Sequence, residues 1–490
     1  MALTILKGSI VSAPALGELE ITERGYLVAE EGKIVGVFPR LPEEYAAAHV
    51  EDWGEALILQ SFADLHLHAP QYPMMAMGMD LPLLDWLETY AFPTESRCAD
   101  EGYARELYRR LARDLVKNGT TRVSIFSSLH RPATLILMEE LERAGVQGFV
   151  GKVNMDRNGG EHLQETTEES MTETLRWLEE CQDFRGLRPI LTPRFTPSCT
   201  DALMAFLGEL AQERDLPVQS HLSENRAEME LVGRLHPDCR QYWETYAKFG
   251  LWKEGALMAH CVHSDRRERD AMRSSGVTAV HCAASNNGLC SGIAPVRVML
   301  QEGVKVALGS DVAGGDRLSL FDGVAMTLRA SKDRRILDNW ETEALTVPEA
   351  WYLGTSAGAE YFGDAPGFAP GNPLHAMVLD DSRLPGAGEL SVRQRFERCV
   401  YYRQENAVQA VWSAGRKVYG AEYRKKESAP AYAGGAFLPV LLLTPEIVRR
   451  RLDPLRQEGG EGAALPPDGR LRPLAHGVGG AGGSASGGLP

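Results

Sequence analysis

The stretch Gln60-Ser61-Phe62-Ala63-Asp64-Leu65-His66-Leu67-His68 decides how the rest of the chain is read. It follows the apolar run Ala56–Leu59 and closes on two imidazoles spaced i and i+2. In a strand, that spacing puts both side chains on one side, so both can reach one point. Working outward, short apolar β-rich runs recur at Thr120–Phe126, Gly148–Val153, Pro189–Phe195, Pro217–His221, Ala256–Cys261, Val277–Cys282 and Val304–Leu308. Most of the gaps hold helical patterns with charged faces, at Glu101–Lys117, Glu168–Gln182, Asp201–Arg214 and Asn225–Phe249. Strands alternating with helices indicate parallel βαβ units. Eight such units close a (β/α)8 barrel, so the expected class is α/β, a TIM-like barrel.

Polar residues gather at the ends of these runs. The fourth ends Thr192-Pro193-Arg194-Phe195, and the fifth ends Gln219-Ser220-His221 with Glu224 three residues on. The sixth ends Met258-Ala259-His260, the seventh Val280-His281-Cys282, and the eighth Gly309-Ser310-Asp311. Barrel enzymes place their chemistry at the C-terminal ends of the strands. Five of the 12 histidines (His66, His68, His221, His260 and His281) fall there. His49, His130, His162, His236, His263, His375 and His476 show no such pattern. Neutral imidazoles with one carboxylate suit zinc, or iron, in a site that keeps a position open for water. Such a metal lowers the pKa of its water to roughly 7. Glu224 stands about one helical turn past His221, where a carboxyl can carry protons to a leaving group.

The chain ends have another character. Residues 1–58 hold short strand-like pieces, and so do residues 366–425. Together they are expected to form a small β-sandwich domain flanking a barrel at 59–365. The last 32 residues, 459–490, contain 11 Gly and 4 Pro. That composition cannot bury enough apolar surface to offset ordering, so 426–490 is expected to be a disordered tail, with a short apolar piece at Phe437–Leu443.

Charge narrows the partners. The 490 residues carry 52 Lys plus Arg against 67 Asp plus Glu, a formal net charge of −15. An acidic chain without a basic block is a poor grip for nucleic acid or an anionic membrane. Apolar stretches of spanning length are missing, and Lys7 interrupts the apolar run that a signal peptide would need. Eight irregularly spaced cysteines with no CxxC pair do not make a disulfide framework. A soluble, cytoplasmic protein is expected.

With these residues in view, the chain resembles the amidohydrolase superfamily, and within it the guanine deaminases. HxH after the first strand, HxxE after the fifth, a sixth-strand His and an eighth-strand Ser-Asp carry the superfamily likeness. The block Asp80–Glu95, Gln71, Thr192–Phe195, Gln219–Asn225 and Gly309–Gly315 carry the narrower one, over about residues 1–422. The resemblance implies that His66, His68, His221 and Asp311 hold one zinc per chain, with iron as the alternative. It makes His260 either a further ligand or the group that orients the attacking water. It makes Glu224 the proton shuttle, Asp311 a proton acceptor, and Gln71, Arg194 and Phe195, beside His221 and Glu224, the groups that hold the purine. The implied reaction is hydrolytic deamination of guanine to xanthine and ammonia by a homodimer. Departures are Gln60–Asp64 in place of the usual Pro-Gly, the missing Pro after Cys282, and His375 where the family usually has Asp. The competing readings are an aminohydrolase acting on a pterin, triazine or pyrimidine, and a non-catalytic barrel serving in assembly. The complete ligand set disfavours the second.

Overall fold

In the computed structural model, residues 3–160, 163–386, 390–402 and 407–421 are described. The expected tail, its apolar piece, His162 and His476 lie outside the described residues. The strands in chain order are β1 (Leu3–Ser12), β2 (Glu20–Glu30), β3 (Lys33–Phe38), β4 (Glu51–Gln60), β5 (Phe62–His68), β6 (Thr120–Phe126), β7 (Gln147–Gly151), β8 (Val153–Asn154) and β9 (Leu187–Pro189). They continue with β10 (Thr192–Pro193), β11 (Gln219–Leu222), β12 (Leu257–His260), β13 (Thr278–His281), β14 (Lys305–Leu308), β15 (Ala376–Leu379), β16 (Val408–Ser413) and β17 (Arg416–Tyr419).

The two ends of the chain meet in one seven-stranded sheet, ordered β17-β16-β15-β4-β1-β2-β3. Alternation along β1 and β2 sends Leu6, Ile10, Leu27 and Ala29 to one apolar cluster with Ile58, Val378 and Trp412. Ile5 and Val28 go to another, against Tyr45. This is the period-two signature of strands buried on both faces. The run Ala56–Leu59, grouped by pattern with the first barrel strand, belongs instead to β4. There Ile58 pairs with Ile10 and with Val378. The strand that carries the two imidazoles begins only at Phe62.

Two parallel four-stranded sheets follow, β5-β6-β7-β9 and β11-β12-β13-β14, with β8 paired to β10. A bridge between Leu191 and Val218 links the two. All seven residues of β6 are buried, as expected where a parallel strand is covered on both faces. The helix Glu101–Lys117 shows why the covering works. Its Ala104, Leu107, Tyr108, Leu111 and Leu115 recur at helical spacing and are buried, and Asp100 caps it by accepting the Tyr103 N–H at 2.8 Å. The pattern over Asn225–Phe249 is two helices, Arg226–Leu235 and Tyr242–Ala247. Pro237 explains the break, because it pushes the residue before it out of helical geometry. The runs Gly148–Val153 and Pro189–Phe195 each divide into two short strands. In the second, Pro189 and Pro193 remove donors from the ladder.

Candidate active site

The end of β5 is pinned to the turn after β14. Asp64, fully buried, accepts the Ser310 N–H at 2.9 Å and the His66 N–H at 3.3 Å. Asp311 N–H donates to His66 O at 2.8 Å, and His68 N–H donates to Val312 O at 2.9 Å. A β-carbon at Gly309 would lie 2.7 Å from His66 Cβ and 2.9 Å from His66 O, so the approach requires glycine there. The result brings Asp311 Oδ1 to 3.2 Å from His66 Nε2 and 3.6 Å from His68 Nε2. Its Oδ2 lies 3.8 Å from His260 Nε2. Asp311 and His260 both adopt left-handed backbone angles, with φ of 48° and 72°.

β11 and β12 add the other imidazoles. His221 Nδ1 donates to Arg194 O at 2.6 Å, which leaves Nε2 as a lone pair 3.1 Å from His68 Nε2. His260 Nδ1 faces Asn286 Oδ1 at 2.9 Å, which turns its Nε2 lone pair toward Glu224 Oε2 at 3.5 Å. Burial, followed by the neighbouring His66, holds His68 and His221 well below the usual imidazole range, so both are neutral. Three ligand atoms from His66, His68 and His221 all lie within 4.8 Å of one another. His66, His260 and the Cys282 thiol form a second such group. Imidazole nitrogens and carboxyl oxygens crowd one point. That donor set fits a cation, and the hydrogen bonds behind His221 and His260 are those that orient metal-binding imidazoles. His281 does not join them. It lines a separate small cavity with Arg297, Thr327 and Arg334.

Glu224 sits in the turn between β11 and the helix Arg226–Leu235. Ser223 before it is left-handed, with φ of 47°. Glu228 closes the capping box and accepts the Glu224 N–H at 2.9 Å, while Tyr242 donates to its other oxygen at 2.8 Å. Burial, then the charge of Asp311, raises Glu224 to about 8. Burial also opposes ionisation of Asp311, but the His66 and His260 imidazoles outweigh it and hold that carboxyl at about 2. Two neighbouring carboxyls are therefore driven apart, one to keep its proton and one to lack it.

These groups form one wall of a cavity of about 380 Å³. Across it stand Gln71, Arg194, Phe195, Trp86 and Leu289. Of the residues singled out by sequence, His68, Gln71, Arg194, Phe195, His221, Glu224, His260 and Asp311 line this cavity, His66 meets it through Asp311, and His281 lies apart. One expectation is narrowed. The Arg194 fork, expected to face a ligand, is bound end-on by Glu95, with Nη1–Oε2 at 2.7 Å and Nη2–Oε1 at 2.8 Å. Sequence reasoning gave no role to Glu95, Asp64 or Asn286. Glu95 and Asp64 lay inside quoted motifs, and for Asp64, between Ala63 and Leu65, a carboxyl bordered by apolar residues is the signal that could have drawn attention to it.

A model of the Amidohydrolase family matches residues 57–418. The chain is 36% identical over 464 residues to a probable guanine deaminase of Schizosaccharomyces pombe, covering 88% of this chain and 86% of that one. It is 33% identical over 443 residues to the guanine deaminase of Rattus norvegicus, covering 84% and 96%. Among solved structures, a guanine deaminase from C. acetobutylicum with bound guanine in the active site gives a TM-score of 0.83 at 38% identity, over 85% of this chain and 100% of that one. The fold is TIM-barrel-like, and the chain belongs to the guanine deaminase family of the amidohydrolases.

Proposed function

We propose that this chain hydrolyses guanine to xanthine and ammonia at the cavity between the histidine wall and Gln71, Arg194 and Phe195. One observation carries the reading. A carboxyl that keeps its proton near neutrality (Glu224) and one that has lost it (Asp311) flank a cluster of imidazoles on one cavity.

His66, His68, His221 and Asp311 would hold one zinc, with iron as the alternative. His260 Nε2 faces the same point, as a further ligand or to orient water. When bound, the metal would bring water to hydroxide strength at neutral pH. The rest falls to the chain's own groups. Asp311, ionised, accepts a proton from the attacking water as its oxygen bonds to the ring carbon bearing the amino group. Glu224 delivers its proton to the adjacent ring nitrogen. The proton gathered at Asp311 goes to the departing amino group, which leaves as ammonia, the hydroxyl hydrogen of the added water returns to Glu224 as the carbonyl forms, and the ring nitrogen keeps its hydrogen in xanthine. Phe195, 7% exposed, offers a ring face for stacking. Gln71 and the Arg194 N–H groups not taken by Glu95 are left to read the polar edge.

The same reading extends to architecture. The barrel is assigned to 59–365 and closes between β14 and β5, supported by the hydrogen bonds from Asp311 to His66 and from His68 to Val312. The flanking sheet, from 1–58 and 366–425, folds over as a sandwich. Hydrogen bonds from Leu374 to Gly32 and from Ile34 to Asn372, which bring β2 and β3 back toward β15, support this. A cytoplasmic homodimer rests on the family resemblance and on eight free thiols. Among the described residues no helix is long and apolar enough to cross a membrane.

The test is ammonia release from guanine, adenine, cytosine and a pterin by purified protein, together with its metal content. Guanine should be turned over, and adenine should be disfavoured by roughly 10⁴-fold because it sets an amino group against Arg194. Equal rates on the two purines would refute the reading.

A further inference from the structure

Glu95 is 1% exposed and its two carboxylate oxygens meet three donors. Two are the Arg194 Nη1 and Nη2 contacts, and the third is Gln71 Nε2, at 2.7 Å from Oε1. Gln71 Oε1 in turn accepts the Ala313 N–H at 3.0 Å. The amide of Gln71 therefore has one orientation. Turned over, its oxygen would face a carboxylate and its NH2 would face an N–H. Phe92 lies one helical turn before Glu95, and its ring centroid is 5.2 Å from the Arg194 guanidinium carbon. The backbone carbonyl of Arg194 meanwhile holds His221 Nδ1. One residue is thus fastened at its head by the segment 92–95 and at its main chain by an imidazole of the opposite wall.

We infer that Glu95 is the positioning residue for substrate recognition: it fixes which way Gln71 presents donor and acceptor, aims the free edge of Arg194, and cancels the charge of Arg194 inside the cavity. This assignment rests on the guanine reading above. Glu95 touches neither the imidazoles nor Glu224 or Asp311, so it acts on recognition and not on metal retention or proton transfer. Its charge has a further consequence. A neutral Arg194–Glu95 pair suits a neutral purine. Without the carboxylate, an unpaired guanidinium faces the cavity and favours an anionic ring.

The experiment compares wild type, Glu95→Gln and Glu95→Asp for guanine KM and kcat, bound metal, and inhibition by xanthine at alkaline pH, where its ring ionises. Glu95→Gln should raise the guanine KM by about tenfold or more, the scale of a lost charged hydrogen bond, with kcat within a few-fold and metal content unchanged. It should also bind xanthine more tightly than wild type does at alkaline pH. Glu95→Asp should recover part of the KM and restore weak xanthine binding. A buried charge left unpaired can also prevent folding. If Glu95→Gln does not fold, the double variant Glu95→Gln/Arg194→Gln is compared with Arg194→Gln, which should have nearly the same KM because the two groups act as one unit. An unchanged KM in Glu95→Gln, loss of metal in parallel with activity, or a double variant far worse than Arg194→Gln would overturn the assignment. If wild type is active on guanine, those results overturn this assignment alone. A wild type inactive on guanine overturns the functional reading and this assignment with it.

Discussion

The two walls of the cavity are built in different ways. The imidazole wall comes from strand ends, where His66, His68, His221, His260 and Asp311 are set by β5, β11, β12 and the turn after β14. The facing wall draws on residues 69–99, a run of short helical turns of which one, Leu87–Ala91, is a π-helix. Strand ends impose position through the sheet, so a side chain there needs few partners to hold it. The irregular segment has no such ladder, and Gln71 is held by a carboxylate 24 residues away. Rigid geometry therefore comes from backbone pairing on one side and from side-chain hydrogen bonds centred on a buried carboxylate on the other.

The sharpest way to break this contrast is to empty the strand wall. His66→Ala/His68→Ala should lose its metal and essentially all activity, because the proposed site would be left without two of its ligands. Full metal occupancy in that variant would remove these histidines from the site. A smaller effect belongs to Glu224→Gln, which keeps the size and hydrogen bonding of the side chain but cannot donate an acid proton. Turnover should fall on the order of 100-fold or more with metal retained. Near-normal turnover would reduce Glu224 to a structural residue. The smallest effect concerns stability behind the strand wall. Glu268, 2% exposed, accepts from Ser264 at 2.6 Å and from Ser223 at 3.1 Å, and burial raises it to about 7. The folded chain then binds a proton that the unfolded chain releases above the ordinary carboxyl range near 4.5. Stability from this group is present at low pH and is lost as pH rises from about 4.5 toward 7. The melting temperature of metal-free protein should fall between those limits, and less so in Glu268→Gln. An identical fall in both proteins would show that Glu268 contributes nothing to it.

The same contrast explains what the sequence disclosed. HxH, the histidines closing the fifth and sixth runs, and Gly309-Ser310-Asp311 were legible because a strand of period two and a parallel sheet convert spacing into position. Ala56–Leu59 was misplaced because a single residue, Ser61, separates β4 from β5, and an apolar run does not say which sheet it joins. His281 closes its run as His260 does, yet it faces another cavity, since residue type at a strand end does not settle direction. Glu95 stayed hidden for a different reason. Its meaning lies in Arg194 and Gln71, 99 and 24 residues away, and no local period connects them.

Ser223, His260 and Asp311 hold left-handed backbone angles, and Cys261 adds a fourth with φ of 50°. Non-glycine residues there cost on the order of 1–3 kcal/mol each. Anyone breeding this protein for heat resistance would be working against its own centre. His260→Gly and Asp311→Gly relieve backbone strain, so a screen that scores survival alone would be drawn to them and would collect chains without the proposed site. Such a search should hold these four positions fixed and look for its gains in the flanking seven-stranded sheet.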